Sequence, residues 1–393
     1  MSLMDVDQLR AQTPGCSSLI HFNNAGAALP PQGVVDAQIE HLRRESLIGG
    51  YEAAEIVASR LDEIYALAAR LINGHPDEIA LVDNATRAWQ LAFYALPLNP
   101  GARILTATAA YGSNFIAFLH RAKQTGAVVE VIPDDENGQI DLTVLAHRIT
   151  DPSVRLVALT HVPTNGGLVN PAAAVGMLAN DAGVPFLLDA CQSVGQLPVD
   201  VEEIGCDMLS ATGRKYLRAP RGTGFLWIRR RWIERLEPPM IDARGATWTD
   251  ERTYTLRPDA RRFECWESSI GSRLGLAEAL SLALELGSAP IWQRIQDLAA
   301  ALRRRLGTID GVQVHDKGAV RCGIVTFTMA GHEPVDVQQQ LRAQLINLSV
   351  TWASMSRLDM DPRGLSSMLR ASVHVYNTFD EIERFCLAIA AIR

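Results

Sequence analysis

Several large protein classes are excluded by what this chain lacks. It has six cysteines in 393 residues (Cys16, Cys191, Cys206, Cys265, Cys322 and Cys386), and no two of them make a C-x-x-C pair. No disulfide framework and no zinc-site spacing follow, so no metal is expected. No apolar run approaches the length of a membrane span. No basic segment followed by an apolar one opens the chain, so no secretory signal is visible and a cytoplasmic, reducing location is the expectation. The formal net charge is -7, which argues against nucleic acid or an anionic membrane as the main partner. Arginine clusters at 229–231 and 303–305 flank helix or strand patterns and read as solvated faces. No G-x-G-x-x-G follows the first strand, which argues against a nicotinamide-dependent dehydrogenase. There is no internal repeat and no low-complexity tract. Met1-Ser2-Leu3 ahead of Met4 reads as a cloning remnant and is set aside.

What is present is a large apolar fraction, 48%, in a chain long enough for two or three domains. Strand-like runs lie at 78–82, 103–106, 128–132, 156–160, 185–188, 207–210 and 224–228. Helical patterns lie between most of them, at 87–95, 114–124 and 172–182, with an earlier one at 55–71. Such alternation predicts an α/β fold with a mainly parallel seven-stranded sheet flanked by helices. Residues 243–262 read as a polar, irregular connection lining the site or a subunit contact. Beyond them a long helix from 271 leads into a smaller α+β region. Its pattern predicts helices at 292–306, 334–345 and 379–390, and strands near 312–314, 323–328 and 369–372. The predicted division is a large domain at 17–250, a connecting segment at 251–270 and a small C-terminal domain at 271–393, which residues 4–16 could join.

Ligands in such sheets bind beyond the carboxyl ends of the strands, and the chemically suggestive residues cluster there. Lys215 sits in Thr212-Gly213-Arg214-Lys215, followed by Pro220-Arg221-Gly222-Thr223-Gly224. Asp189 closes the apolar run 184–188. An acid at the end of a buried strand and a lysine in a small, basic loop suit pyridoxal 5'-phosphate (PLP). The lysine would form a Schiff base with the aldehyde, and the acid would pair with the protonated ring nitrogen. A phosphate needs N–H groups at a helix start together with hydroxyls or cations. Ala85-Thr86-Arg87 supplies such a start, although Thr86 could be an ordinary N-cap. Thr212 and Arg214 are further phosphate candidates. Tyr111 could stack on the ring or simply pack in the core. Gln192, and Thr164 or Asn165, could donate to the phenolic oxygen; Gln192 could equally be a solvated loop amide. Arg370, within a strand-like setting, could take a substrate α-carboxylate or form a structural ion pair.

Taken together, Asp189-x-x-Gln192, Thr212-Gly213-Arg214-Lys215 and Arg370-Ala371-Ser372 resemble the class V aminotransferase family of fold-type I PLP enzymes. That family includes cysteine desulfurases and selenocysteine lyases. The likeness runs from His21-Phe22-Asn23-Asn24-Ala25-Gly26 to Asn377-Thr378. It implies that Lys215 is the Schiff-base lysine, Asp189 the ring-nitrogen partner, Tyr111 the ring stacker and Arg370 the carboxylate binder. Asn24 then lines the substrate site. It also implies a homodimer with shared active sites, in which Tyr51 and the 248–266 segment reach the partner's site.

Three departures from the family pattern matter. The stretch 349–356, where desulfurases carry a nucleophilic cysteine, has none. Cys265-Trp266-Glu267 stands where a Gly-Thr pair commonly reaches the neighbouring subunit's phosphate, and Glu267 would repel it. Gly49-Gly50-Tyr51 and Tyr111-Gly112-Ser113-Asn114 are similar to the branch holding hercynylcysteine sulfoxide C–S lyases and isopenicillin N epimerase-like proteins. The expected activity is β-elimination on a cysteine-derived amino acid without a persulfide cysteine. Transamination or epimerisation at Cα would use the same lysine, acid and arginine.

Overall fold

The computed structural model describes residues 4–392, so the N-terminal tripeptide lies outside the described residues. A seven-stranded sheet forms the centre. In spatial order its strands are Ile79–Val82, Gly224–Ile228, Met208–Thr212, Phe186–Asp189, Val154–Thr160, Arg103–Ala107 and Val128–Ile132. Gly224–Ile228 runs antiparallel to both neighbours, and all the other pairings are parallel. The predicted mainly parallel sheet is therefore what the chain builds.

Side chains along these strands alternate between two apolar clusters, one on each face. Phe186, Leu188, Leu209, Phe225 and Trp227 join one, and Leu187, Met208, Leu226 and Ile228 join the other. A strand buried on both faces must be apolar at every position, which is why these runs show no polar alternation. The helix Ala85–Ala95 covers one face with Ala88, Trp89, Leu91, Ala92 and Phe93.

A second sheet is antiparallel throughout, in the order Val312–Val314, Ile324–Met329, Ser367–Ser372 and Ser349–Trp352. The helices Ser288–Leu306 and Pro334–Ala343 pack on it, Phe385 of the helix Phe379–Ala390 meets Phe327, and its core residues Ile324, Val325 and Phe327 continue the first apolar cluster. The strand Ser349–Trp352 was not among the predicted strands, because four residues carry little periodicity. Near the N-terminus, the helix Val6–Ala11 is tied down by Arg10, which donates to Tyr376 O at 2.8 Å and Glu381 Oε1 at 2.7 Å.

The reading of 243–262 as irregular needs correction. Ala246–Asp250 and Thr253–Leu256 form an antiparallel hairpin, with Tyr254 opposite Trp248. Nearly all of it is exposed. It lacks an apolar face because it packs on little else among the described residues, and its four threonines supply the strand preference instead.

One glycine places the lysine loop. Gly195 has φ +82, and a Cβ there would come within 2.6 Å of the Tyr216 carbonyl carbon. Gly195→Ala should therefore lower stability by about 1–3 kcal/mol in chemical denaturation. An unchanged midpoint would contradict this close approach.

Candidate active site

The chain contains three lysines: Lys123, Lys215 and Lys317. Lys123 is exposed on the helix Gly112–Thr125. Lys317 is paired with Asp134 at 3.1 Å and Asp359 at 2.6 Å. Lys215 alone lines a cleft, with Tyr111, Thr160, Val162, Thr164, Asp189, Cys191 and Gln192. That scarcity of lysine was a signal available in the sequence.

Asp189 ends the strand Phe186–Asp189 and is buried. Its Oδ2 accepts from Asn114 Nδ2 at 2.7 Å, and its Oδ1 accepts from the Cys191 N–H at 3.0 Å. Part of Lys215 is open to the cleft, yet the surrounding protein leaves its amine poorly hydrated. Desolvation lowers its pKa below the ordinary 10.5, and Arg214 and Arg370 push it the same way against Cys191 and Asp189.

A buried stack holds the lysine loop in place. Tyr216 stacks on His374 (centroids 5.5 Å apart), His374 stacks on Tyr376 (5.1 Å), and Arg218 lies 4.7 Å over Tyr376. Burial pushes His374 down to about 3. It is therefore neutral, with Nε2 donating to Tyr216 O at 3.0 Å and Nδ1 accepting from Val375 N at 2.8 Å.

Arg370 lies in the strand Ser367–Ser372 and is buried. It donates to the Thr164 hydroxyl, while its Nε has no partner. Desolvation lowers its pKa to about 10. Among the described residues no carboxylate pairs with it, so the fold does not build the structural ion pair considered for it. Arg214 donates to Gly26 O, and its own carbonyl accepts from Ala28 N at 3.0 Å.

At the phosphate-type end, Asn84 rather than Thr86 caps the helix, its Oδ1 accepting from Arg87 N at 2.9 Å. Thr86 is thus exposed and free of capping duty, and the N–H groups of Ala85 and Thr86 have no partner among the described residues. Thr212 pairs with Gly224, where a Cβ would come within 3.3 Å of the Asn84 carbonyl carbon. This brings the end of the Met208–Thr212 strand against that helix start. Arg87 lines a neighbouring cleft together with Glu267 and Arg273.

Two expectations are corrected. Asn24 does not line the cleft: it is fully buried, its Nδ2 donating to Ser372 O at 2.6 Å and its Oδ1 accepting from Tyr376. Asn165 is turned away, its amide donating to Met360 Sδ at 2.8 Å and accepting from Thr351. Tyr51, expected at the partner's site rather than its own, is 77% exposed and lines an open cleft with Trp266 and Glu267 that shares no residue with that of Lys215. Gln192 is buried rather than solvated; its Nε2 donates to Ala25 O at 3.1 Å and its Oε1 has no partner. Asn114, Thr160, Val162 and Cys191 were missed. Asn114 could have been found from its place one helical turn after Tyr111.

The class-V aminotransferase model matches residues 20–385. The chain belongs to the class-V aminotransferase family. It is a PLP-dependent enzyme. A "Probable cysteine desulfurase" of Xylella fastidiosa (strain 9a5c) is 30% identical over 385 residues, covering 95% of this chain and 91% of the relative. The apo cysteine desulfurase of Thermococcus onnurineus NA1 has a TM-score of 0.91 at 26% identity, over 99% of this chain and 98% of that one. A lysine-to-alanine variant of C-DES with glycine covalently linked to its PLP shares the fold (TM-score 0.88, 24% identity, 98% and 99% coverage).

The residues present fit PLP. Gln192 Oε1 and Arg370 Nε are buried and unpartnered, which is costly without a ligand, and the N–H groups of Ala85 and Thr86 are free at a helix start, where a phosphate binds.

A pH dependence follows for the cofactor-free protein. With its folded pKa below 10.5, Lys215 binds fewer protons folded than unfolded, so stability rises with pH between the two values. The penalty is complete below the folded pKa and absent above 10.5. Lys215→Met should be more stable than the parent at neutral pH, with the gap narrowing towards alkaline pH. A gap that is constant or widens in urea titrations contradicts this.

Proposed function

We propose that this chain is a PLP-dependent C–S lyase that performs β-elimination on a cysteine-derived amino acid without a persulfide cysteine. The observation that carries the proposal is the absence of any thiol at 349–356, the stretch paired with and preceding the Arg370 strand. Four of the six cysteines suit a persulfide role poorly, because the thiolate is the nucleophile. Cys206, Cys322 and Cys386 are buried. Burial pushes Cys322 up to about 12 and Cys386 up to about 11. The Cys191 thiol is raised by desolvation and by Asp189.

Bound PLP supplies an electron sink for negative charge at the substrate Cα. Lys215, disfavoured as a cation by its dry surroundings, takes the Cα proton on Nζ. Arg370 holds the α-carboxylate through N–H groups left free beside Thr164. Asp189 would hold the proton on the ring nitrogen. Tyr111 would stack on the ring, Gln192 and Thr164 would serve the phenolic oxygen, and Ala85, Thr86, Arg87, Thr212 and Arg214 would hold the phosphate. The Cβ–S bond then breaks, its electron pair leaving with the sulfur as a thiolate or sulfenate, and water hydrolyses the released three-carbon enamine to pyruvate and ammonia.

A homodimer with shared sites is part of the same proposal. Leu42, Leu47 and Ile48 at the end of the helix Gln32–Ile48 and Tyr51 in the helix Gly50–Ile56 are exposed, and Tyr51 is separated from its own chain's Lys215 cleft.

Pyruvate release from S-substituted cysteines and their sulfoxides tests the reaction. Release without an added 2-oxo acid is expected; turnover only with the acceptor would make the chain an aminotransferase. Lys215→Ala should bind PLP without turnover. Replacing Cys16, Cys191 or Cys265 by Ser should leave kcat/KM within about tenfold, and a loss of two or more orders would restore a persulfide mechanism.

A further inference from the structure

Asn114 has no role in the scheme above, yet it makes the closest contact to Asp189. It lies in the first turn of the helix Gly112–Thr125, three residues after Tyr111, and is buried. Its Nδ2 donates to Asp189 Oδ2 at 2.7 Å, while the Cys191 N–H reaches Oδ1 at 3.0 Å. Each carboxylate oxygen thus carries one fixed donor, and the two donors come from different elements. An ionised carboxylate offers about four acceptor positions, so lone pairs remain for a further donor.

We propose that Asn114 is a positioning residue for PLP, setting the plane of the Asp189 carboxylate that meets the ring nitrogen. This rests on the reading of Asp189 given above. The Cys191 N–H alone pins one oxygen, and the terminal torsion of an aspartate is broad. The second donor fixes the plane, and a charge-assisted hydrogen bond stabilises the anion. A carboxamide does this without adding charge. An aspartate at 114 would set two carboxyl groups at hydrogen-bond distance, where both cannot be ionised together.

The test is titration of cofactor-free protein with PLP and with 1-deazapyridoxal phosphate, which has a ring C–H in place of the nitrogen. Asn114→Leu should weaken PLP binding roughly 10- to 100-fold and leave the deaza analogue within about threefold. Asn114→Asp should lose PLP affinity as pH rises, relative to the parent. Equal loss of both ligands in Asn114→Leu would mark distortion of the cleft and overturn the proposal, as would no loss of either. Asp189→Asn separates the two levels. If it binds both ligands like the parent, the reading of Asp189 fails. If it selectively loses PLP while Asn114→Leu does not, the assignment of Asn114 alone fails.

Discussion

A poorly hydrated amine held near two guanidinium groups and one carboxylate is the constraint on which the site depends. Arg214 and Arg370 disfavour the charged amine of Lys215 while Asp189 favours it, and burial works against every cation in the set. Such an excess of positive charge is unfavourable in an empty fold and becomes favourable with an anionic, carboxylate- and phosphate-bearing ligand. The unpartnered atoms on Gln192 and Arg370 tell the same story in hydrogen bonds rather than charge. Stability has been given up at this point in the molecule for binding.

The rest of the fold holds that arrangement still. Four distant stretches of chain meet around Lys215. Arg214 and Ala28 lock the lysine loop to the N-terminal segment, and Gln192 reaches Ala25. Ala25 and Asn24 in turn are bound to Ser372, two residues beyond Arg370. The Tyr216–His374–Tyr376–Arg218 stack closes the circuit. The strand that carries the arginine and the loop that carries the lysine are thereby held through shared contacts rather than by a hinge. The segment after Trp352 is fixed as well. Gly112 leaves room for the backbone of Ser354, and Asp359 is gripped by Lys317 and Arg363.

Much of this was legible because buried parallel strands must be apolar throughout, so the central sheet declares itself as short apolar runs ending in polar residues. Asp189 and Lys215 stood out for that reason. Elements that pack on little else escaped notice: the exposed 246–256 hairpin has no apolar face to betray it. Side-chain direction was the other blind spot. Asn24 and Asn165 lie in the right stretches of sequence, but tertiary partners (Ser372 and Tyr376 for one, Met360 and Thr351 for the other) consume their polar atoms. Asn114 carried a fainter signal, its place one helical turn after Tyr111, while its partner Asp189 lies 75 residues away.

The most direct test of the account is where the cofactor attaches. Holoenzyme reduced with borohydride and digested should yield a phosphopyridoxyl group on the Lys215 peptide. With three lysines in the chain, assignment by mass spectrometry is unambiguous. Label on Lys215 alone is the predicted result. Label on Lys123 or Lys317, or none on a protein that retains PLP, would contradict the account.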